Sequence, residues 1–81
     1  MILKLLGTEI DIGSTANTVS NSTLVRVINT GAAAVCNVAN SGGSVIASAT
    51  ISNTQYVVIE KSATDKLIGS GMKAVPVAYK Y

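Results

Sequence analysis

Two carboxylates near the start of the chain are the first residues whose spacing could support chemistry. Glu9 and Asp11 are two residues apart, so on a β-strand their side chains would share one face and could bind a hard cation such as Ca²⁺. Calcium takes about six to eight oxygen ligands, and two carboxylates are too few. Ile10 and Ile12 alternate with them, which is typical of a half-buried strand. The pattern therefore favours a solvated strand face over a metal site.

Three further patterns have only part of what an enzyme needs. Cys36 could act as a nucleophile, but such a cysteine needs a base, usually His, and the chain contains no His. Ser62 and Lys66 have the residue types of a catalytic pair, yet no oxyanion donor can be nominated beside them. The glycines at 42–43 and at 69–71 lack the GK[ST] sequence of a phosphate loop. We therefore expect a buried cysteine, turn glycines, no cofactor and no enzymatic activity.

The composition argues against several other classes of protein. The chain has 81 residues and a mass of 8.2 kDa, which fits one domain over residues 1–81. Only 12% of the residues are charged, and the basic ones are scattered, whereas a nucleic-acid groove needs a basic stripe. Residues 27–59 are uncharged, but Asn, Ser and Thr interrupt them, so no window of about eighteen residues is continuously apolar. We expect neither a nucleic-acid partner nor a membrane span.

The elements that must position these residues are short β-strands. Val, Ile and Thr are abundant between clusters of Gly, Asn and Ser, which is typical of strands joined by tight turns. Alternation predicts about seven strands, over residues 2–6, 9–12, 23–29, 33–39, 45–51, 55–61 and 72–81. The predicted fold class is all-β, as a small antiparallel β-sandwich or a jelly-roll-like barrel.

The same alternation predicts the core, the turns and one sheet edge. The expected core residues are Val25, Val27, Ala47, Ala49, Val57, Ile59, Val75 and Val77. Pro76 has no N–H to donate to a strand ladder, so the last strand should lie at an edge. Residues 29–31 predict a hairpin turn into the strand at 33–39, and residues 40–43 predict a second turn. Residues 62–67 are predicted to be a connection with at most one helical turn.

A thin core indicates that the chain depends on association. Ala and Val dominate it, and a single cysteine cannot form an internal disulfide. One core of this size supplies only about 3–5 kcal/mol, and low surface charge suits packing against other copies or a partner. The apolar start of the chain and its last strand predict contacts with neighbouring subunits through Ile2, Lys4, Leu6, Pro76, Lys80 and Tyr81.

Four segments carry a resemblance to a known group of proteins. They are Leu-Val-Arg-Val-Ile-Asn at 24–29, Tyr-Val-Val-Ile-Glu-Lys at 56–61, Thr-Asp-Lys-Leu at 64–67 and Val-Pro-Val-Ala-Tyr at 75–79. From Leu24 onward this pattern resembles small virion structural proteins of tailed phages, especially those of marine cyanophages. The resemblance implies a β-rich decoration or cement protein that binds major capsid subunits or its own copies on the capsid surface. A tail- or fibre-associated structural or adhesion module is the alternative.

Overall fold

The computed structural model describes residues 2–13 and 16–80, which form eight strands in two antiparallel sheets. The strands are β1 (Ile2–Leu5), β2 (Ile10–Asp11), β3 (Leu24–Asn29), β4 (Ala34–Ala39), β5 (Val45–Ile51), β6 (Tyr56–Glu60), β7 (Lys66–Ile68) and β8 (Met72–Lys80). The predicted small all-β, sandwich-like fold is thereby confirmed. Within the described ranges, no helix has the length and apolarity needed to cross a membrane.

The two sheets are unequal in size. The five-stranded sheet has the order β1-β8-β3-β6, with β2 also pairing with β8, and the three-stranded sheet has the order β5-β4-β7. Strand β7 corrects the prediction of a simple connection at 62–67, because Leu67 is completely buried and pairs with Val38 of β4. Alternation did not reveal β7 because a strand of three residues covers little more than one period.

The core lies between the sheets and consists largely of aliphatic side chains. Val25 and Val27 of β3 are completely buried, as alternation predicts. Val57 and Ile59 pair with them from β6 and are half-buried against the core. The buried core residues are Ile12, Val19, Val25, Val27, Cys36, Val38, Ile51, Leu67, Met72 and Ala74.

Of the two other predicted pairs of core residues, one is exposed and one is buried. Ala47 and Ala49 of β5 are exposed, so the core prediction is wrong for them. Val75 and Val77 of β8 are buried, as predicted. However, Ala74 belongs to the central core, and alternation turns Val75 and Val77 to the opposite face of the strand.

Pro76 lies in an interior strand, so the prediction that it marks a sheet edge is wrong. Strand β3 pairs with one side of β8, and β1 and β2 pair with the other. At Pro76 β8 changes partner, because β2 pairs with residues 73–74 and β1 with residues 77–80. The Pro76 carbonyl accepts a hydrogen bond from Leu6 N at 2.8 Å. The proline thus occupies an interruption of the ladder, where its missing N–H is tolerated.

The side-chain amide of Asn29 joins the two sheets. The hairpin predicted at 29–31 is wrong, because β3 and β4 belong to different sheets and this segment crosses between them. Asn29 is completely buried, and its Nδ2 donates to the carbonyl oxygens of Ile51 at 2.7 Å and Ala32 at 3.0 Å. Its Oδ1 accepts from Gly31 N at 2.9 Å. One side chain therefore connects the end of β3, the crossover and the end of β5.

Replacement of Asn29 by Asp should unfold the chain or nearly so. The change puts a carboxylate oxygen where an amide group donates to two carbonyls, which leaves a buried charge facing acceptors. We expect the free energy of unfolding to fall by about 3–5 kcal/mol, which is as much as one small core supplies. Urea denaturation followed by circular dichroism measures this loss.

The matched control is Asn21→Asp, which makes the same change at an exposed residue. This variant should stay within about 0.5 kcal/mol of the unchanged protein. An equal loss of stability in both variants would contradict the role assigned to Asn29.

Candidate interaction surface

Strand β5 forms one outer edge of the three-stranded sheet. The turn predicted at 40–43 does bring β5 alongside β4, since Asn40 N donates to Ser44 O at 2.9 Å and Asn40 Oδ1 accepts from Gly42 N and Ser44 N. Gly43 completes the turn at φ +91°, which favours glycine. Among the strands of the described chain, only β4 pairs with β5, and residues 45–50 are all exposed. The N–H and C=O groups on the outer side of β5 are therefore available to a partner.

A cleft of about 150 Å³ opens between β5 and the facing sheet. Its lining residues are Cys36, Val38, Ala47, Ser48, Ala49 and Ile59. Ala47 pairs with Val38 and Ala49 pairs with Cys36, so both alanines share the inner face of the sheet with these two buried residues. Their short side chains leave the space toward Ile59 open. The cleft is a part of the sandwich interior that the chain fills only incompletely.

The strands on both sides of the cleft carry large exposed apolar side chains. Val45 and Ile46 of β5 and Tyr56 of β6 each expose more than half of their surface. All three lie within residues 27–59, which contain no charged residue. Val45 and Ile46 are neighbours on β5, whereas Tyr56 lies on the face of β6 opposite to that of the core residues Val57 and Ile59. Adjacent exposed apolar side chains, unlike single ones, are typical of sites that contact other molecules. We call residues 45–50, together with the cleft behind them, the β5 surface.

Arg26 holds the exposed aromatic ring of Tyr56 from one side. The guanidinium carbon of Arg26 lies 5.8 Å from the centre of the Tyr56 ring, within the range of a cation–π contact. The same guanidinium donates through Nη2 to Glu9 Oε2 at 3.0 Å. The Tyr56 ring is therefore restrained while it stays 58% exposed, which is a property of aromatic residues in binding surfaces.

The two carboxylates considered as cation ligands have separate partners. Glu9 pairs with Arg26, whereas Asp11 Oδ1 accepts a hydrogen bond from Lys73 Nζ at 2.9 Å. The hydrogen bond and the negative charge of Asp11 raise the pKa of Lys73. Over residues 2–13 and 16–80, no group of three His, Cys, Asp or Glu residues is placed to hold a metal ion. Both carboxylates therefore act as ion-pair partners on an exposed face.

The candidate nucleophiles Cys36 and Ser62 lie in the core and in a turn, respectively. Cys36 is buried, which confirms the prediction, and burial raises the pKa of its thiol. A raised pKa disfavours the thiolate, which is the reactive form. Ser62 N donates to Asp65 Oδ2 at 3.2 Å in the turn after β6, and Lys66 begins β7. These contacts are those of a core cysteine and a turn serine.

The predicted contact residues at the chain ends lie in β1, in β8 and next to these strands. Because β1 pairs with the last part of β8, the two ends of the chain run side by side. Lys4 is exposed, and Leu6 exposes 54% of its surface. Pro76 is buried within the chain, and Tyr81 lies outside the described residues. The hypothesis that Ile2, Lys4, Leu6, Pro76, Lys80 and Tyr81 contact neighbouring subunits stays a prediction.

Sequence reasoning missed the β5 surface because it assigned Ala47 and Ala49 to the core. The signal in the sequence was the lack of charge from residue 27 to 59 combined with small side chains in β5. An edge strand normally carries a charge or a proline that prevents pairing with other chains, and β5 has neither.

Comparison with known proteins gives no independent assignment. The chain matches no family model, no curated protein and no solved structure. A function for the β5 surface and the chain ends must therefore be argued from their geometry and chemistry.

The thiol of Cys36 should react slowly in the folded protein. It lies at the base of the cleft with 2% of its surface exposed, so we expect labelling by a disulfide reagent at pH 8 to be at least about a hundredfold slower than in urea. Labelling of the unfolded chain should level off above the ordinary thiol pKa of about 8.5. Labelling of the folded protein should keep rising beyond that pH because burial raises its pKa. Equal rates in both states would show that the cleft exposes the sulfur.

Proposed function

We propose that the chain is a structural protein of a virus particle, and specifically a decoration or cement protein of a tailed-phage capsid. In this role it binds major capsid subunits on the outside of the shell and stabilises the shell by linking them. The observation that carries the structural role is the uncharged, exposed β5 surface on a domain with a small core. The capsid assignment rests on the resemblance of segments 24–29, 56–61, 64–67 and 75–79 to small virion structural proteins.

Two separate exposed surfaces on one small domain suit a protein that links subunits. The β5 surface lies at one edge of the smaller sheet, whereas Leu5 and Leu6 are exposed at the β1 edge of the larger sheet. Each surface is small, and small interfaces bind weakly on their own. When one molecule engages several fixed subunits, each later contact forms at a high effective concentration, so that weak contacts add up to firm retention.

Tyr56 supports a second candidate, a tail or fibre module that binds a surface glycan or an adaptor. Its ring is more than half exposed and is restrained by Arg26, as expected of a stacking platform. We rank this candidate second because Tyr56 is a single platform, whereas the β5 surface offers a whole strand.

Quantification of the chain in purified particles distinguishes the two candidates. A decoration protein should be present in copy numbers comparable to those of the major capsid protein, and a tail module should be a small fraction of that. Mass spectrometry of intact and tail-free particles with isotope-labelled peptides of both proteins measures this ratio. Absence of the chain from particles would overturn both candidates, and its presence only in tails would overturn the first.

Replacement of Leu6 by Ser should weaken retention on the particle more than it weakens the fold. Leu6 exposes 54% of its surface, so its side chain contributes little to the isolated domain and is available to a partner. We expect occupancy to require about tenfold more protein, while the urea midpoint stays close to that of the unchanged chain. Val35→Ser, at another exposed apolar residue, is the control for general loss of apolar surface. Unchanged occupancy with Leu6→Ser would contradict the contact role of the β1 end.

A further inference from the structure

The free edge of β5 is suited to pair with another β-strand. Its seven residues form one side of the three-stranded sheet, and the outward N–H and C=O groups of such a strand are templates for strand addition. The register between β5 and β4 shifts at Ile46, which forms a β-bulge near one end of the strand. From Ala47 onward the register with β4 is regular.

We infer that β5 pairs antiparallel with β5 of a second copy of this chain, around a twofold axis near Ser48. This pairing joins the three-stranded sheets of two copies into one continuous sheet with β5 and its counterpart at the centre. It goes beyond the proposed function and does not depend on it, because it requires only this chain in solution.

The absence of charge favours a second copy as the partner. In an antiparallel twofold pair, every residue on one side of the axis faces a residue of the other copy, and like charges directly opposite are destabilising. Strand β5 contains only Val, Ile, Ala, Ser and Thr, so self-pairing opposes no like charges. With the axis at Ser48, Ala47 faces Ala49, which is a pair of small residues that two closely spaced strands accommodate.

Side-chain alternation restricts where the axis can pass. A twofold axis that relates two adjacent antiparallel strands runs perpendicular to the sheet. The inner faces of the two sheets therefore stay on the same side. Opposed residues share a face, so an odd-numbered residue such as Ala47 or Ala49 must face an odd-numbered one. The axis must therefore pass beside one residue that faces its own copy, and Ser48 is the middle residue of β5. Around this axis the two clefts become adjacent and form one apolar groove under the joined strands.

The size of the interface between the two β5 strands indicates how tightly the two copies should associate. Strand β5 spans about 23 Å and the bulge at Ile46 limits regular pairing to a part of it, which makes a small interface compared with those of stable dimers. We therefore expect a reversible dimer with a dissociation constant in the micromolar range or above. Sedimentation velocity of the full chain from about 10 μM to about 1 mM should show a mass that rises from monomer to dimer.

Charge substitution at Ser48 tests the pairing directly. Ser48→Lys places two like charges opposite each other on the axis, and we expect the dissociation constant to rise at least about tenfold without a change in the urea midpoint. Ser70→Lys adds the same charge at an exposed turn residue between β7 and β8 and should leave association unchanged. A mixture of Ser48→Lys with Ser48→Glu should dimerise again, because opposite charges then meet.

A cysteine scan keeps the test independent of the charged variants. Cysteines introduced singly at positions 47, 48 and 49 should oxidise to a disulfide-linked dimer efficiently at one position, expected at 48, because only the residue on the axis lies opposite its own copy. The unchanged chain supplies the background, since Cys36 is buried. A chain that stays monomeric up to about 1 mM, a dimer that Ser48→Lys does not weaken, or equal oxidation at all three positions would overturn the inference.

Discussion

The packing of the two sheets depends on the hydrogen bonds of one buried amide, that of Asn29. Backbone ladders connect strands within each sheet, so they do not fix how one sheet sits on the other. Asn29 belongs to β3 in the larger sheet, and its side chain bonds to the carbonyl of Ile51, the last residue of β5 in the smaller one. Its backbone also bonds to Gln55 and Thr54, which lead into β6. Two of the four crossovers between the sheets, from β3 to β4 and from β5 to β6, are therefore held at a single residue.

The two sheets cover each other closely near Asn29 and less completely with distance from it. Near Asn29 the inner face of β5 is closed, and Ile51 exposes only 1% of its surface. Farther along β5 the inner face carries Ala49 and Ala47, and the cleft opens toward Ile59. The same strand thus belongs to the core at one end and to the surface at the other. This gradient explains how a domain with one thin core can be closed and still present an apolar strand to its surroundings.

Alternation predicted the fold class and the buried face of β3, because a strand between two neighbours under a facing sheet shows a regular period. It failed at Ala47 and Ala49, since period-2 patterning tells which residues share a face but not whether another sheet covers that face. The prediction of a hairpin at residues 29–31 was wrong because Asn-Thr-Gly between two strand patterns is typical of a short turn, and the long-range bond of Asn29 to Ile51 has no local signal. Likewise, Pro76 indicated an edge, but a strand that changes partner along its length tolerates proline in the interior.

The pairing of β1 with the end of β8 has a consequence for the architecture of any longer or rearranged chain. Ile2 lies opposite Lys80, and opposed residues in an antiparallel ladder have Cα atoms about 5 Å apart. Any polypeptide attached at either end must leave the domain from the same corner. A short linker could join the two ends and new termini could be opened at the turn before β5, which makes the fold a natural candidate for circular permutation.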